Sequence, residues 1–142
     1  SDPPLNSVTL ERVGDALRFV GSPHDLPSGV ARELLATIDH ASLSSSRCTL
    51  AFRGHHVMLP TEGSAARDEN TAITLRARVD VTEITGSETF VHLDFMGQPW
   101  VALLDGIHAF ASGTEIDLVV DSKDCFLFSE SGERLRAADG RI

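Results

Sequence analysis

The chain has 142 residues, enough for one domain with a hydrophobic core of its own. It carries 12 Lys and Arg residues against 21 Asp and Glu residues, and this formal charge of −9 disfavours binding to nucleic acid and to anionic lipid. No apolar run approaches the roughly 20 residues that a membrane-spanning helix needs.

The first third of the chain predicts a β-hairpin followed by one short helix. Residues 5–13 and 16–20 alternate apolar with polar side chains, as half-buried strands do, and Gly14 opens the turn between them. Residues 24–27 contain a proline and predict a short edge segment. Apolar residues then recur at helical spacing, which predicts a helix over about residues 28–38.

The middle of the chain predicts a strand and then a loop. Residues 48–52 are apolar and bounded by turn residues, which is typical of a strand. The segment 61–71 lacks large apolar side chains, so we predict a mobile loop there. This loop would join two small β lobes, 1–60 and 72–142, within a single domain over 1–142.

The longest β pattern begins at Ile73 and alternates through Val81, with Ile84 continuing the apolar face after a slip in phase. The slip predicts a bulge or a bend at Glu83-Ile84. Further apolar runs, separated by a Met96-Gly97 turn and by Gly113, complete the set over residues 89–95, 100–104, 116–120 and 125–128. Many short strands with one helix predict an all-β, mainly antiparallel barrel or sandwich.

Three residues predict features of the core. Cys48 and Cys125 each lie beside an apolar run, and we expect two buried, reduced thiols. Trp100 begins a strand, and as a lone tryptophan it is expected in the core rather than on a sugar-stacking surface.

The chain lacks the motifs that position catalytic groups. No Gly-x-x-x-x-Gly-Lys-[Ser/Thr] is present, so the backbone cradle and lysine that hold ATP phosphates are missing. The adjacent histidines His55 and His56 are the metal-ligand candidates, but neighbouring residues on a strand point to opposite faces. We therefore expect neither catalysis nor a metal site in this chain.

One acidic residue follows a turn. Gly86 permits a positive φ, and Glu88 then begins a strand, where its carboxylate can accept backbone N–H bonds or pair with an arginine. Two interpretations remain open, a turn-stabilising acid and a subunit contact.

Four tracts together resemble a known family. The first is the Ser-Asp-Pro-Pro-Leu-Asn segment at residues 1–6, and the second is the apolar strand ending in His-Val at residues 49–57. The third is the Gly-Ser-Glu-Thr corner at residues 86–89, and the fourth is the run that begins Asp-Cys-Phe-Leu-Phe at residues 124–132. Their order is similar to the C-terminal regulatory region of the ATP-binding subunits of carbohydrate ABC importers of the maltose-transporter type. Gly54 and His55 depart from that family's Arg-Pro-Glu-His, and Phe126 replaces its usual histidine.

The resemblance implies a fold, a function and a set of partners. It implies an OB-like TOBE β-barrel that is not catalytic and that supports homodimer contact and regulation of ATP-driven sugar uptake. Its interface or regulatory candidates are Gly86, Glu88, Gly113 and Arg53. The implied partners are a second copy, the ATPase domain of the parent protein, indirectly the membrane subunits, and a regulatory protein, at the cytoplasmic face of the membrane.

The resemblance also assigns the cofactors elsewhere and leaves an alternative. ATP and Mg²⁺ would be bound by the motor domain of the parent ATPase, and no cofactor is expected here. The alternative is a sensor of a small ligand, an oxyanion such as molybdate or a sugar. A charge of −9 with a single lysine makes anion capture less favourable, although backbone N–H groups can also bind anions.

Overall fold

The computed structural model describes residues 5–61 and 68–137. These residues form an α-helix, two short 3₁₀ turns at Gly54–His56 and Ser122–Asp124, and nine strands. In chain order the elements are β1 (Leu5–Val13), β2 (Ala16–Phe19), α1 (Ser28–Ala41), β3 (Arg47–Arg53), β4 (Ala72–Thr85), β5 (Glu88–Phe95), β6 (Gln98–Asp105), β7 (Glu115–Asp121), β8 (Cys125–Ser129) and β9 (Arg134–Leu135).

The strands form two sheets in which every pairing is antiparallel. One sheet has the order β2-β1-β3-β8-β9 and the other has the order β6-β5-β4-β7. The two sheets curl around one core, and the predicted all-β, mainly antiparallel fold class with one helix is confirmed.

One joint between the sheets lies where β1 meets the outer edge of β6. The Asn6 side chain donates to the Val101 carbonyl oxygen at 2.9 Å and accepts from the Val101 N–H at 2.8 Å. Next to it, the Trp100 indole N–H donates to the Ser7 carbonyl oxygen at 2.9 Å. A buried amide thus supplies to β6 the two hydrogen bonds that a neighbouring strand would supply.

A second joint lies at the opposite edge of the same sheet, along β7. Met58 and Val119 exchange two backbone hydrogen bonds, of 2.9 and 2.8 Å. The chain that follows β3 therefore pairs with the far edge of the second sheet, which holds the two sheets together on both sides.

The aromatic centre of the core confirms the expectation for Trp100, which is 2% exposed. Its ring stacks on Phe95 with centroids 4.3 Å apart and meets the edge of Phe52 at 4.9 Å. Such contacts add to the stabilisation from buried area alone. Because Phe52 belongs to one sheet and Trp100 to the other, this cluster spans both layers.

The helix is longer than its apolar pattern predicted, ending at Ala41 rather than near residue 38. Val30, Leu34 and Ile38 are buried on one face, as expected. Asp39 and His40, which follow Ile38, are exposed, so apolar spacing could not mark the end of the helix. Ser42 ends the helix in the left-handed conformation, with φ 55°.

The bulge in β4 is not where the sequence predicted it. The register with β5 shifts between Val79 and Val81, so the extra residue is Asp80 rather than one at Glu83-Ile84. Val81 consequently points outward and is 53% exposed, whereas the alternation had placed it on the buried face. The Gly113 N–H donates to the Val79 carbonyl oxygen at 2.7 Å, so a distant segment stabilises the bulge.

The predicted mobile loop 61–71 lies largely outside the described residues, which resume at Asp68. Its described end is a turn in which the Thr71 N–H donates to the Asp68 carbonyl oxygen at 3.1 Å. The division into lobes 1–60 and 72–142 stays a prediction. Strands β8 and β9, from the second range, pair within the sheet that contains β1 to β3.

Candidate functional site

The β4–β5 turn and the segment after β6 together form one exposed end of the second sheet. Gly86 has φ 59° and Ser87 has a negative φ, the pattern of a two-residue hairpin turn with glycine first. The Gly106 N–H donates to the Ser87 carbonyl oxygen at 2.7 Å. We call residues 81–88 and 105–110 the corner surface.

Hydroxyl groups fix the 106–114 loop against the hairpin. The Thr89 hydroxyl is fully buried, donates to the Gly106 carbonyl oxygen at 2.8 Å and accepts from the His108 N–H at 3.1 Å. Further along, the Thr82 hydroxyl donates to the Phe110 carbonyl oxygen at 3.3 Å. The loop therefore runs from the end of β6 across β5 and β4 to the start of β7.

Exposed apolar side chains concentrate at this corner. Of the six large apolar residues that are exposed within the described ranges, three lie here: Val81 at 53%, Ile84 at 47% and Ile107 at 65%. Ile84 stands opposite Thr89 in the strand pairing, and the Thr89 hydroxyl holds the residues on either side of Ile107. Val81 stands opposite His92 and therefore points to the other face of the sheet from Ile84.

Two carboxylates also face each other there. Glu88 on β5 is directly opposite Asp105 on β6, so their Cβ atoms lie at cross-strand distance, about 5 Å. Neither carboxylate has an Arg, Lys or His partner in the part of the chain that the structure describes. Like charges directly opposite on neighbouring strands destabilise the pair.

These carboxylates belong to a long stretch of the sequence that has no Lys or Arg. Residues 79–122 contain eight acidic residues and no Lys or Arg. Two arginines of β4 neutralise four of the eight: Arg76 contacts Asp117 and Glu115, and Arg78 contacts Asp80 and Asp94. Glu83 lies 3.3 Å from His92, so Glu88 and Asp105 are the pair left over at the corner.

Comparison with known proteins identifies the family of this fold. Residues 50–128 match the model of the TOBE domain family, over more than half of the chain. The chain belongs to the TOBE domain family. This membership supports the prediction of a non-catalytic domain. No curated protein matches the chain.

A molybdate-binding protein is among the solved structures that share the fold of this TOBE domain. It is the cytoplasmic molybdate-binding protein ModG with molybdate bound, which is 17% identical, with a TM-score of 0.55. The match covers 94% of this chain and 97% of that one. It supports the OB-like architecture that the resemblance to the importer subunits implied.

The structure brings together two of the four predicted interface residues. Gly86 and Glu88 lie at the corner, whereas Gly113 bonds to Val79, six strand positions before Thr85 and thus about 20 Å from the turn. Arg53 lies on the other sheet. It belongs to a separate, half-buried cluster, in which Arg53 and Arg134 approach the Phe126 ring centroid at 5.9 and 4.6 Å.

The histidine pair of this TOBE domain lies in a 3₁₀ turn rather than on a strand. The rings of His55 and His56 lie side by side, with centroids 4.2 Å apart. Gly54 packs so closely against the Val101 carbonyl oxygen that no side chain fits there. Within residues 5–61 and 68–137, no group of three or more His, Cys, Asp or Glu side chains is arranged to hold a metal ion.

The two cysteines are buried free thiols. Cys48 pairs with Ser129 and Cys125 pairs with Phe52, so about four residue steps along the strands separate the thiols, too far for a disulfide. Burial raises the pKa of Cys48 from 9.0 to about 11. The pKa of Cys125 is raised further, first by burial and then by Asp124 and Asp121. Thiols of this kind are unreactive at neutral pH.

Sequence reasoning missed Asp105 and Ile107, which complete the corner. Both lie next to Gly106, in a segment whose only local signal is an interrupted apolar run. The lack of Lys and Arg over residues 79–122 is the stronger signal. It indicates the part of the chain in which some carboxylates have no Lys or Arg partner after the sheet has formed.

No helix among the described residues has both the length and the apolar character that a bilayer span requires.

Proposed function

We propose that this TOBE domain is the non-catalytic regulatory and dimerisation domain of the ATP-binding subunit of a carbohydrate ABC importer. In this proposal it works at the cytoplasmic face of the membrane, where it contacts a second copy, the ATPase domain of its own chain, indirectly the membrane subunits, and a regulatory protein. ATP and Mg²⁺ are bound by the ATPase domain.

The observation that supports the proposal most is the family match over residues 50–128. It contains all but the first residue of the 49–57 tract, the Gly-Ser-Glu-Thr corner and most of the closing run, three of the four tracts that resemble the importer subunits. The structure adds an exposed apolar corner, which is a reason to expect a protein contact rather than chemistry.

The test is the coding sequence upstream of Ser1. The proposal expects an ATPase domain with a phosphate-binding Gly-x-x-x-x-Gly-Lys-[Ser/Thr] motif in the same reading frame. Removal of the TOBE domain from that protein should then lower sugar-stimulated ATP hydrolysis while leaving nucleotide binding intact. An unrelated upstream domain would overturn the proposal.

A second candidate function is the sensing of a small oxyanion, because the fold is shared with a molybdate-binding protein. The space bounded by Asn6, Phe52 and Trp100 does not admit a water molecule, and the chain has one lysine. Calorimetry with molybdate, tungstate, sulfate and candidate sugars separates the two functions. We expect no saturable heat, and micromolar binding of any of them would favour the sensor.

A further inference from the structure

We propose that the outer face of the first sheet docks an acidic segment of another protein. The residues that carry this contact are Arg53, Phe126, Phe128 and Arg134, which we call the basic face. The proposal rests on the proposed regulatory function and deepens it, because it assigns the contact with a regulatory protein to one face and one partner chemistry.

Strand pairing places these four residues on the same side of the sheet. Phe126 stands opposite Ala51 in the pairing of β3 with β8, and Arg53 lies two residues further along β3. Arg134 stands opposite Phe128 in the pairing of β8 with β9. The side chains that alternate with them along the three strands point into the core: Leu50, Phe52, Leu127 and Leu135. The basic face is therefore the outer face of the sheet.

The Phe126 ring positions both arginines. The guanidinium carbon of Arg134 lies 4.6 Å from the ring centroid, and that of Arg53 lies 5.9 Å from it. These cation–π contacts restrict two long side chains before any partner binds, so less conformational entropy is lost on binding. Arginine and aromatic residues are also the types that are enriched in protein–protein interfaces.

The charge of this part of the sheet is opposite to that of the chain as a whole. Strands β3, β8 and β9 contain three arginines and no Asp or Glu, in a chain with a formal charge of −9. Arg47, one of the three, contacts Glu11 at 3.2 Å. Arg134 is exposed and has no carboxylate partner within residues 5–61 and 68–137. Its guanidinium can therefore donate paired N–H bonds to a carboxylate of a partner.

The second sheet directs an acidic partner towards the first. Strands β4 to β7 contain eight acidic residues and two arginines. A segment rich in Asp and Glu is repelled by that sheet and attracted to the basic face. Charges arranged in this way contribute to the choice of partner and to the rate of association.

Two other occupants fit the basic face less well. A twofold contact with a second copy would place the arginines of one copy against those of the other, because such an interface joins identical surfaces. A small inorganic anion would leave the half-buried rings of Phe126 and Phe128 uncovered, whereas a polypeptide can bury them.

The test is a peptide titration of the whole 142-residue chain, followed by backbone amide NMR shifts. The probe is a synthetic Asp-Phe-Glu-Leu-Asp peptide with blocked ends. One control peptide has Ser at each apolar position, and the other has Lys at each acidic position. We expect saturable binding of the probe that weakens as the salt concentration rises. We also expect amide shifts concentrated at residues 49–53, 125–129 and 134–136, and at least about tenfold weaker binding of both control peptides.

Variants of the chain define the face. Arg134→Gln should weaken probe binding about fivefold or more, and the pair Arg53→Gln with Arg134→Gln about tenfold or more. Arg32→Gln and the pair Arg32→Gln with Arg76→Gln are the matched controls, because they remove the same charge from exposed positions on α1 and β4. The controls should bind the probe within about twofold of the unmodified chain, and near-native amide spectra show that each variant is folded.

Four results would overturn the proposal. The first is the absence of saturable probe binding, and the second is equal weakening by the face variants and their controls. The third is sodium sulfate that produces the same amide shifts as the probe at the same concentrations, which would make the face a small-anion site. The fourth is self-association in sedimentation velocity that Arg134→Gln abolishes, which would make the face a self-contact. The upstream coding sequence tests the proposed function separately, so failure of the peptide experiment and failure of that function are distinguishable.

Discussion

At the scale of single residues, Asn6 shows how one side chain can connect two sheets. It is 3% exposed and lies on the same face of β1 as Val8 and Leu10, where an apolar residue is usual. Its amide satisfies both the N–H and the carbonyl of Val101 at the edge of β6. A buried polar group is tolerated there because both the nitrogen and the oxygen of the amide have a hydrogen-bond partner.

Replacement of Asn6 by leucine should lower the free energy of unfolding by about 1 to 3 kcal/mol, because it leaves the Val101 N–H and carbonyl without partners. Urea denaturation followed by Trp100 fluorescence measures the change. Ser7→Ala is the control, since that side chain is exposed and the Ser7 carbonyl that binds Trp100 remains; we expect a change within about 0.5 kcal/mol. Equal stability of Asn6→Leu and Ser7→Ala would show that the amide does not hold the joint.

The buried thiols predict how stability changes in alkaline solution. Burial raises the pKa of Cys48 from 9.0 to about 11, while the unfolded thiol keeps its ordinary value. This contribution to the free energy of unfolding is therefore complete below about pH 9 and is lost as the pH rises towards 11. The chain has no tyrosine and one lysine, so few other groups titrate in that range.

Denaturation at pH 8, 9, 10 and 11 measures the effect. The free energy of unfolding should fall less steeply in a Cys48→Ala variant than in the unmodified chain, although the variant is less stable at pH 8 because it leaves a small cavity. Identical slopes in the two proteins would mean that Cys48 ionises in the folded state as readily as in the unfolded state.

At the scale of elements, β4 shows both the reach and the limit of sequence prediction. Its alternation predicted a strand through Val79 correctly. The bulge at Asp80 could not be predicted, since the bonds that hold it come from Ser112 and Gly113, more than thirty residues later. The corner is similar: the turn at Gly86 is visible locally, whereas the loop that packs against it becomes its neighbour only after the sheet has formed.

Gly113→Ala should destabilise the chain by about 1 kcal/mol or more, because φ is +88° there and an L side chain is strained in that conformation. No atom lies within 4 Å of the added Cβ, so the cost comes from the backbone and not from overlap. Ser112→Ala is the matched control, which removes the hydrogen bond to the Asp80 carbonyl oxygen without backbone strain. Thermal unfolding compares them, and a Gly113→Ala variant at least as stable as Ser112→Ala would show that this conformation is not required.

At the scale of the whole molecule, the two sheets share one continuous core. The predicted strands and helix were mostly found, because alternation and helical spacing are local properties of the chain. The pairing of β3 with β8, about seventy residues later, left no local trace in the sequence. The composition of residues 61–71 predicted a boundary between two lobes. In the folded chain, the contact between Trp100 and Phe52 joins the two sheets.

These contacts predict that the whole chain unfolds in one cooperative transition. Trp100 is the only tryptophan and lies between the sheets, so its fluorescence reports the joint, whereas far-UV circular dichroism reports all strands and α1. The two signals should give the same urea midpoint and the same slope, because loss of either sheet exposes the core of the other. Two independently stable lobes would instead give different urea midpoints for the two signals. The Asn6→Leu variant, which weakens only the joint between the sheets, would then increase the difference between these midpoints and leave the transition at the higher urea concentration unchanged.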